Sequence, residues 1–301
     1  MRYVYRGAEG EIIPREATHI TVLAKIIPRQ AFYEHPNIVE VICHEDVEKI
    51  GSWGFACCPN LRRVIMPGVR IIEDDAFYNC PVLTVVACGT LEIIKRGTFR
   101  ECRCLRIINL PSVRVVKEFS FGYCEALAGV QFGNKLERIE ESAFWDCTAL
   151  ERITIPLKDG IISADNIFQL CEKLRQVGLV EGEVHETISA LHFEEWRDDM
   201  NREIDSINQI LPNAYAGHFN FPEDEDDPEC NEGGKALVIR TWIRSVIRKI
   251  NHYKARHQHV LDEAVLTMQH ALPHDILMNN VLPFLELPSY TFEGEDHIIY
   301  F

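Results

Sequence analysis

No stretch of this 301-residue chain approaches 18 consecutive apolar residues, which excludes a hydrophobic helix long enough to cross a bilayer. Its opening residues, MRYVYRGAEGEIIPREATHI, lack the apolar run of an export signal, so the cytoplasm is the expected compartment, with the nucleus also open. Paired CxxC spacings are absent, as are HExxH and GxSxG. The usual zinc, metalloprotease and serine-hydrolase signatures are thereby removed. Gly233-Gly234-Lys235 has neither the upstream glycine nor the preceding strand of a phosphate loop. A non-catalytic protein without cofactor or metal is expected. Positive charge is also scarce, with 31 Lys+Arg against 46 Asp+Glu. Residues 1–180 are nearly balanced, 22 against 23, while the remainder holds 9 against 23. Neither half shows the basic excess of a phosphate-backbone binder, so nucleic acid is not expected as a partner.

What the chain has is a period. Phe32, Phe55, Phe77, Phe99, Phe121, Phe144 and Phe168 follow one another at 22 to 24 residues. Three residues after each stands Cys58, Cys80, Cys102, Cys124, Cys147 or Cys171, with His35 in the first copy. Six after comes Ile38, Leu61, Leu83, Leu105, Leu127, Leu150 or Leu174, and nine after comes Val41, Val64, Val86, Ile108, Val130, Ile153 or Val177. A unit this short cannot bury its own apolar face, so successive copies stack into a solenoid with one continuous core. Six of eleven cysteines occupy one inward column, where a reduced thiol behaves as a small apolar residue. Disulfides between adjacent coils are the lesser alternative.

Alternating stretches such as Val113–Val116 and Leu127–Phe132 read as short parallel strands with one face inward. The Ala-Phe-x-x-Cys stretch between them reads as one helical turn per coil. Seven residues before Phe55, Phe77, Phe99, Phe121 and Phe144 the chain places Glu48, Arg70, Glu92, Arg114 and Glu137, an alternation of sign that suits neighbours in a stacked ladder. The outward positions of the strand that follows each Phe are irregular. They include Arg62, Arg63, Arg106, Asn109, Arg152 and Arg175 among small and apolar residues. Variation on a regular scaffold is what recognition requires, and arginine is enriched at interface anchors. These six are the candidate partner-binding residues. The alternative is that they are simply solvated.

Stretches such as VRIIEDDAFYNCPVLTVV and LERIEESAFWDCTALERITIP resemble the BspA-type leucine-rich repeat. The resemblance implies a right-handed solenoid that binds other macromolecules and performs no catalysis. The expected organisation is a cap over 1–26, seven repeats over 27–180, and an acidic α-helical C-terminal domain over 181–301 with a mobile linker near 220–234. A monomeric scaffold that binds a protein partner through its strand face is the function expected.

Beyond Leu179 the period stops. Glu183–Leu211 reads as one or two amphipathic helices ended by Pro212, and Ala236–Leu272, free of Pro and Gly, is the longest helix candidate. Arg240, Arg244 and Arg248 share one face of it. They suit either a cap in which they meet Glu194, Glu195, Asp198, Asp199 or the acidic linker, or a basic helix over 240–256 offered to a calmodulin-type partner. Leu272–Leu285 resembles the opening of an F-box, in reversed order and interrupted by Pro283. That resemblance implies, as a further alternative, a substrate adaptor of a ubiquitin ligase.

Overall fold

A computed structural model describes residues 1–214, 234–273 and 276–281. All paired strands are parallel, and each contributes one rung to a ladder. One face is built from β1 (Arg2–Tyr5), β2 (His19–Val22), β4 (Glu40–Cys43), β6 (Arg63–Ile65) and β8 (Val85–Ala87), and it continues through β10 (Ile107–Leu110), β12 (Gly129–Phe132), β14 (Arg152–Ile155) and β15 (Gln176–Leu179). The opposite short strands are β3 (Ile26–Ile27), β5 (Lys49–Ile50), β7 (Ile71–Ile72), β9 (Ile93–Ile94), β11 (Val115–Val116) and β13 (Arg138–Ile139). The first face is two sheets rather than one. Pairing stops between β8 and β10, and there Val86 is only half-buried while its column mates Val64 and Ile108 are buried.

The inward columns are in register. Val41 pairs with Val64 and Val64 with Val86, while Ile108, Val130, Ile153 and Val177 pair in turn. The seven Phe rings form a continuous stack, with centroids 4.6 to 5.6 Å apart and planes within 16°. Strand spacing of about 4.8 Å sets that separation, so the rings meet as neighbours in the ladder. Tyr5 closes the first end of the stack, its ring edge-on to Phe32 at 5.1 Å.

The cysteine column does more than fill space. Each Sγ–H donates to the carbonyl of the Phe one coil earlier: Cys58 to Phe32, Cys80 to Phe55, Cys102 to Phe77, Cys124 to Phe99, Cys147 to Phe121 and Cys171 to Phe144, at 3.0 to 3.2 Å. The carbonyls of Phe32, Phe99, Phe121 and Phe144 also accept a backbone N–H from their own turn, while for Phe55 and Phe77 the thiol is the donor among the described residues, and a buried carbonyl without one is costly. The ten described cysteines are free. Burial pushes the thiols of Cys58 and Cys124 up to about 12 and raises those of Cys80, Cys102 and Cys147 well above the ordinary value. His35 marks the coil that has no Phe beneath it, and its Nε2 lies 3.0 Å from the Pro14 carbonyl in the N-terminal arm.

The Ala-Phe-x-x-Cys stretch points Phe and Cys inward, but its backbone is a series of reverse turns and not a regular helical turn. Two residues before and two after most of the Phe positions, φ is positive: Trp53 61° and Cys57 58°, Asp75 54° and Asn79 51°, Gly97 62° and Glu101 62°, Phe119 52° and Tyr123 60°. A helix satisfies its amides internally. Alternating handedness instead aims successive peptide groups along the stack, so Phe55 N–H donates to Ala76 O, Phe77 to Thr98 O and Phe99 to Ser120 O, at 2.8 to 2.9 Å. This third ladder links the coils where no strand runs.

Two compact units divide the chain. The first holds Met1–Pro156, Gly160–Val180 and Asn208–Arg240. In it Asn208 Oδ1 accepts from Val177 N–H at the outer edge of β15. Buried Lys235 donates to the carbonyls of Glu172 and Leu174, and Arg240 pairs with Asp165 at 2.8 Å. Loss of solvent lowers the Lys235 pKa. The second unit holds Leu157–Asp159, Glu181–Ile207 and Thr241–Phe301. Its helices come from α1 (Glu183–Ser189), α2 (Glu194–Ile210) and α3 (Lys235–Met268), with the ends of α2 and α3 belonging to the first unit. Lys249 bridges Asp199 and Glu203 at 2.8 and 3.3 Å, and Tyr253 donates to Asp199 at 2.7 Å. Among the described residues the arginine row of α3 does not meet Glu194, Glu195, Asp198 or Asp199, one of the two carboxylate sets that a cap would offer; the other, the acidic linker, lies outside the described residues. Arg240 reaches Asp165 and Arg244 reaches Asp159, since an extended coil connection supplies carboxylates nearer than the first turns of α2.

Candidate functional site

The strand face of the first unit carries all six candidate residues, and all six are exposed. Arg62 and Arg106 immediately precede β6 and β10, and Arg175 precedes β15. Their backbones are held rigidly: the Arg62 carbonyl accepts from Thr84 N–H, Val85 N–H and the Thr84 hydroxyl. Arg63 pairs with its ladder neighbour Glu40 at 3.5 Å, and Arg175 with Glu151 at 3.5 Å. Among the described residues, Arg62, Arg106 and Arg152 have no carboxylate within 4.0 Å. Arg152 is positioned by its neighbour's lack of a side chain, because a Cβ on Gly129 would stand 3.3 Å from Arg152 Cγ. Asn109 sits beside Gln131 in register.

Between these polar groups the face leaves apolar side chains in water. Ile107 is 59 % exposed, Val85 44 % and Ile42 39 %. Such residues face solvent at some cost, and a row of them beside uncompensated arginines has the composition of a binding surface: apolar contact area with charged groups that fix orientation.

The alternating charge column resolves into discrete pairs. Lys25–Glu48 lies at 3.1 Å, Arg70–Glu92 at 2.5 Å and Arg114–Glu137 at 2.7 Å. These groups are satisfied by one another and mark coil register.

A second surface was not apparent from the repeat columns. On the turn side, outward rings touch in succession: Tyr33 and Trp53 at 6.0 Å, Trp53 and Tyr78 at 5.8 Å, Phe119 and Trp145 at 6.3 Å. Arg100 bridges the gap, its guanidinium 5.6 Å from the Tyr78 centroid, 5.9 Å from Phe119 and 5.6 Å from Tyr123. The rings come from three different repeat positions, so no single column displays them. The positive-φ turns bring those positions onto one side.

The α3 segment over 240–256 is not free to act as a bare basic helix. Trp242, Ile243, Val246, Ile247 and Ile250 are buried, and Arg240, Arg244 and Lys249 are ion-paired. The acidic linker lies outside the described residues, as does much of the F-box-like segment Leu272–Leu285. No described helix is long and apolar enough to cross a membrane.

Comparison with known proteins places the repeats. The family described as BspA type leucine rich repeat region matches in six copies over residues 25–115 and 92–220. Among solved structures, the chain is similar to a leucine rich cell surface protein from Faecalibacterium prausnitzii, with 25 % identity and a TM-score of 0.45 over 60 % of this chain and 48 % of that one. It is also similar to the leucine rich repeat protein of T. pallidum, at 24 % identity and a TM-score of 0.40 over 54 % of this chain and 70 % of that one. The chain thus spans about half the length of the Faecalibacterium protein. No curated protein matches it.

Proposed function

The chain belongs to the BspA type leucine rich repeat family, and we propose that it is a non-catalytic interaction scaffold whose strand face binds a protein partner. The observation that carries this reading is the combination of exposed Ile42, Val85 and Ile107 with Arg62, Arg106 and Arg152, which have no carboxylate within 4.0 Å among the described residues. Ladder pairing holds these groups on a preformed surface, so little ordering entropy is spent on binding. The uncompensated guanidiniums select a partner that presents carboxylates or phosphates between apolar groups. The ten described cysteines are free, Cys104 exposed among them, which suits the reducing cytoplasm.

Simultaneous Arg62→Glu, Arg63→Glu, Arg106→Glu and Arg152→Glu tests the reading, compared with the unaltered chain in quantitative affinity capture from lysate. The expected result is loss of the captured partner with an unchanged melting temperature. Capture of the same partner at the same level would remove the strand face as the site.

A further inference from the structure

The ring track on the turn side has a chemistry opposite to that of the strand face, and its two halves differ in one respect. In the half formed by coils three to five, a cation is supplied from within: Arg100 lies within 6 Å of the centroids of Tyr78, Phe119 and Tyr123. In the half formed by coils one to three, Tyr33, Trp53 and Tyr78 make the same kind of ring chain. Among the described residues, no cation of the chain stacks on Tyr33 or Trp53.

Carboxylates flank that half. Glu34 stands one coil before Trp53 and Asp75 one coil after. Neither has a basic group within 4.0 Å among the described residues. The neighbouring Glu34 carboxylate raises the Tyr33 phenol pKa to about 12. Partial burial raises the Asp75 pKa, with Arg96 and Arg100 only partly opposing it. Glu101, by contrast, is already shared by Arg100, Arg103 and the Tyr78 hydroxyl.

Trp53 has φ 61°, as this turn position does in most coils, where Gly97 at φ 62° is the one glycine. Trp53 is only half-buried, so the core does not require it.

We propose that the Tyr33–Trp53 ring pair, with Glu34 and Asp75, binds an arginine-bearing segment of a partner protein, whose guanidinium stacks on the rings as Arg100 does on Tyr78 and the rings beyond it. Ring faces attract cations, more strongly where solvent is displaced, and the carboxylates supply the counter-charge. The same carboxylates repel a nucleic-acid strand, which aromatic stacking alone would otherwise admit.

The probe is a fluorescein-labelled Gly-Arg-Gly-Arg-Gly-Arg peptide, followed by anisotropy against the full chain, beside the same peptide with citrulline for arginine. Citrulline keeps the planar shape and removes the charge, and binding at least tenfold weaker is expected. Trp53→Gly should weaken arginine-peptide binding by at least tenfold while leaving the melting temperature essentially unchanged, because glycine is the unstrained residue at that φ. The double variant Glu34→Gln, Asp75→Asn, which preserves shape, should weaken binding severalfold and flatten its salt dependence. The four strand-face Arg→Glu changes should leave it unaltered. Equal binding of the citrulline peptide, equal binding to both the Trp53→Gly and double variants, or no binding at millimolar protein would each overturn the proposal.

Discussion

Phe99→Ala probes the shared core at its centre. Phe99 is fully buried, its ring 5.4 Å from Phe77 on one side and 5.4 Å from Phe121 on the other. Its N–H donates to Ser120 O, and its carbonyl accepts the Cys124 thiol. Truncation leaves those backbone bonds in place and removes only the ring. Loss of a buried Phe side chain costs about 3–5 kcal/mol through lost transfer energy and the remaining cavity. Two ring stacks of about 0.5–1.5 kcal/mol each are lost with it. Rigid ladders on three sides limit collapse of the cavity, so the upper part of that range, about 4–5 kcal/mol, is expected. Urea unfolding followed by far-UV circular dichroism measures it through the midpoint at unchanged m-value. Phe99→Leu, which refills most of the volume, should recover more than half of the loss. A loss below about 2 kcal/mol for Phe99→Ala would refute a continuous, tightly packed Phe stack.

The thiol ladder predicts an alkaline limit. Cys43, Cys58, Cys80, Cys88, Cys102, Cys124 and Cys147 all have raised pKa values in the fold because burial disfavours the thiolate. Above pH 9 the unfolded chain loses these protons while the folded chain keeps them. Stability is therefore full below pH 9 and falls by about 1.4 kcal/mol per pH unit for each such group. Unfolding between about pH 9 and 11 in reducing buffer is expected, and a flat pH profile to 11 would contradict the buried thiols. Cys102→Ala should cost about 1–3 kcal/mol by leaving the Phe77 carbonyl without its donor, as read by thermal melting beside Cys102→Ser, which keeps a donor. Gly97→Ala should destabilise by about 1–2 kcal/mol, because φ is 62° and the added Cβ would collide with the Asp75 carboxylate; a neutral result in urea unfolding would mean that the turn relaxes freely.

Much of the solenoid could be read from the chain because its buried columns admit few residue types. Phe, Cys, Leu and Val recur where the coil must fill the same space each time, and their spacing alone places Val41 against Val64 and Ile108 against Val130. The backbone between them could not be read so directly. Its left-handed residues include Trp53, Phe119 and Tyr123, whose identities give no glycine signal, and only Gly97 hints at the requirement. The thiol-to-carbonyl bonds were hidden for a related reason, since a cysteine chosen as a donor and one chosen for volume look alike in sequence. The pairing of Arg240 with Asp165 and Arg244 with Asp159 depends on a long-range approach that helical spacing does not encode. On the strand face the six candidate residues were legible as outward and variable. Which of them lack a counter-charge depended on where Glu40 and Glu151 lie in the ladder.

The most direct test of the strand-face account is hydroxyl-radical footprinting of the full chain, free and in complex with a captured partner. If the strand face binds the partner, Ile42, Val85 and Ile107, exposed in the free chain, become protected in the complex. Unchanged labelling of all three, with protection confined to side chains of α1, α2 or α3, would contradict it and place partner binding on the helical unit.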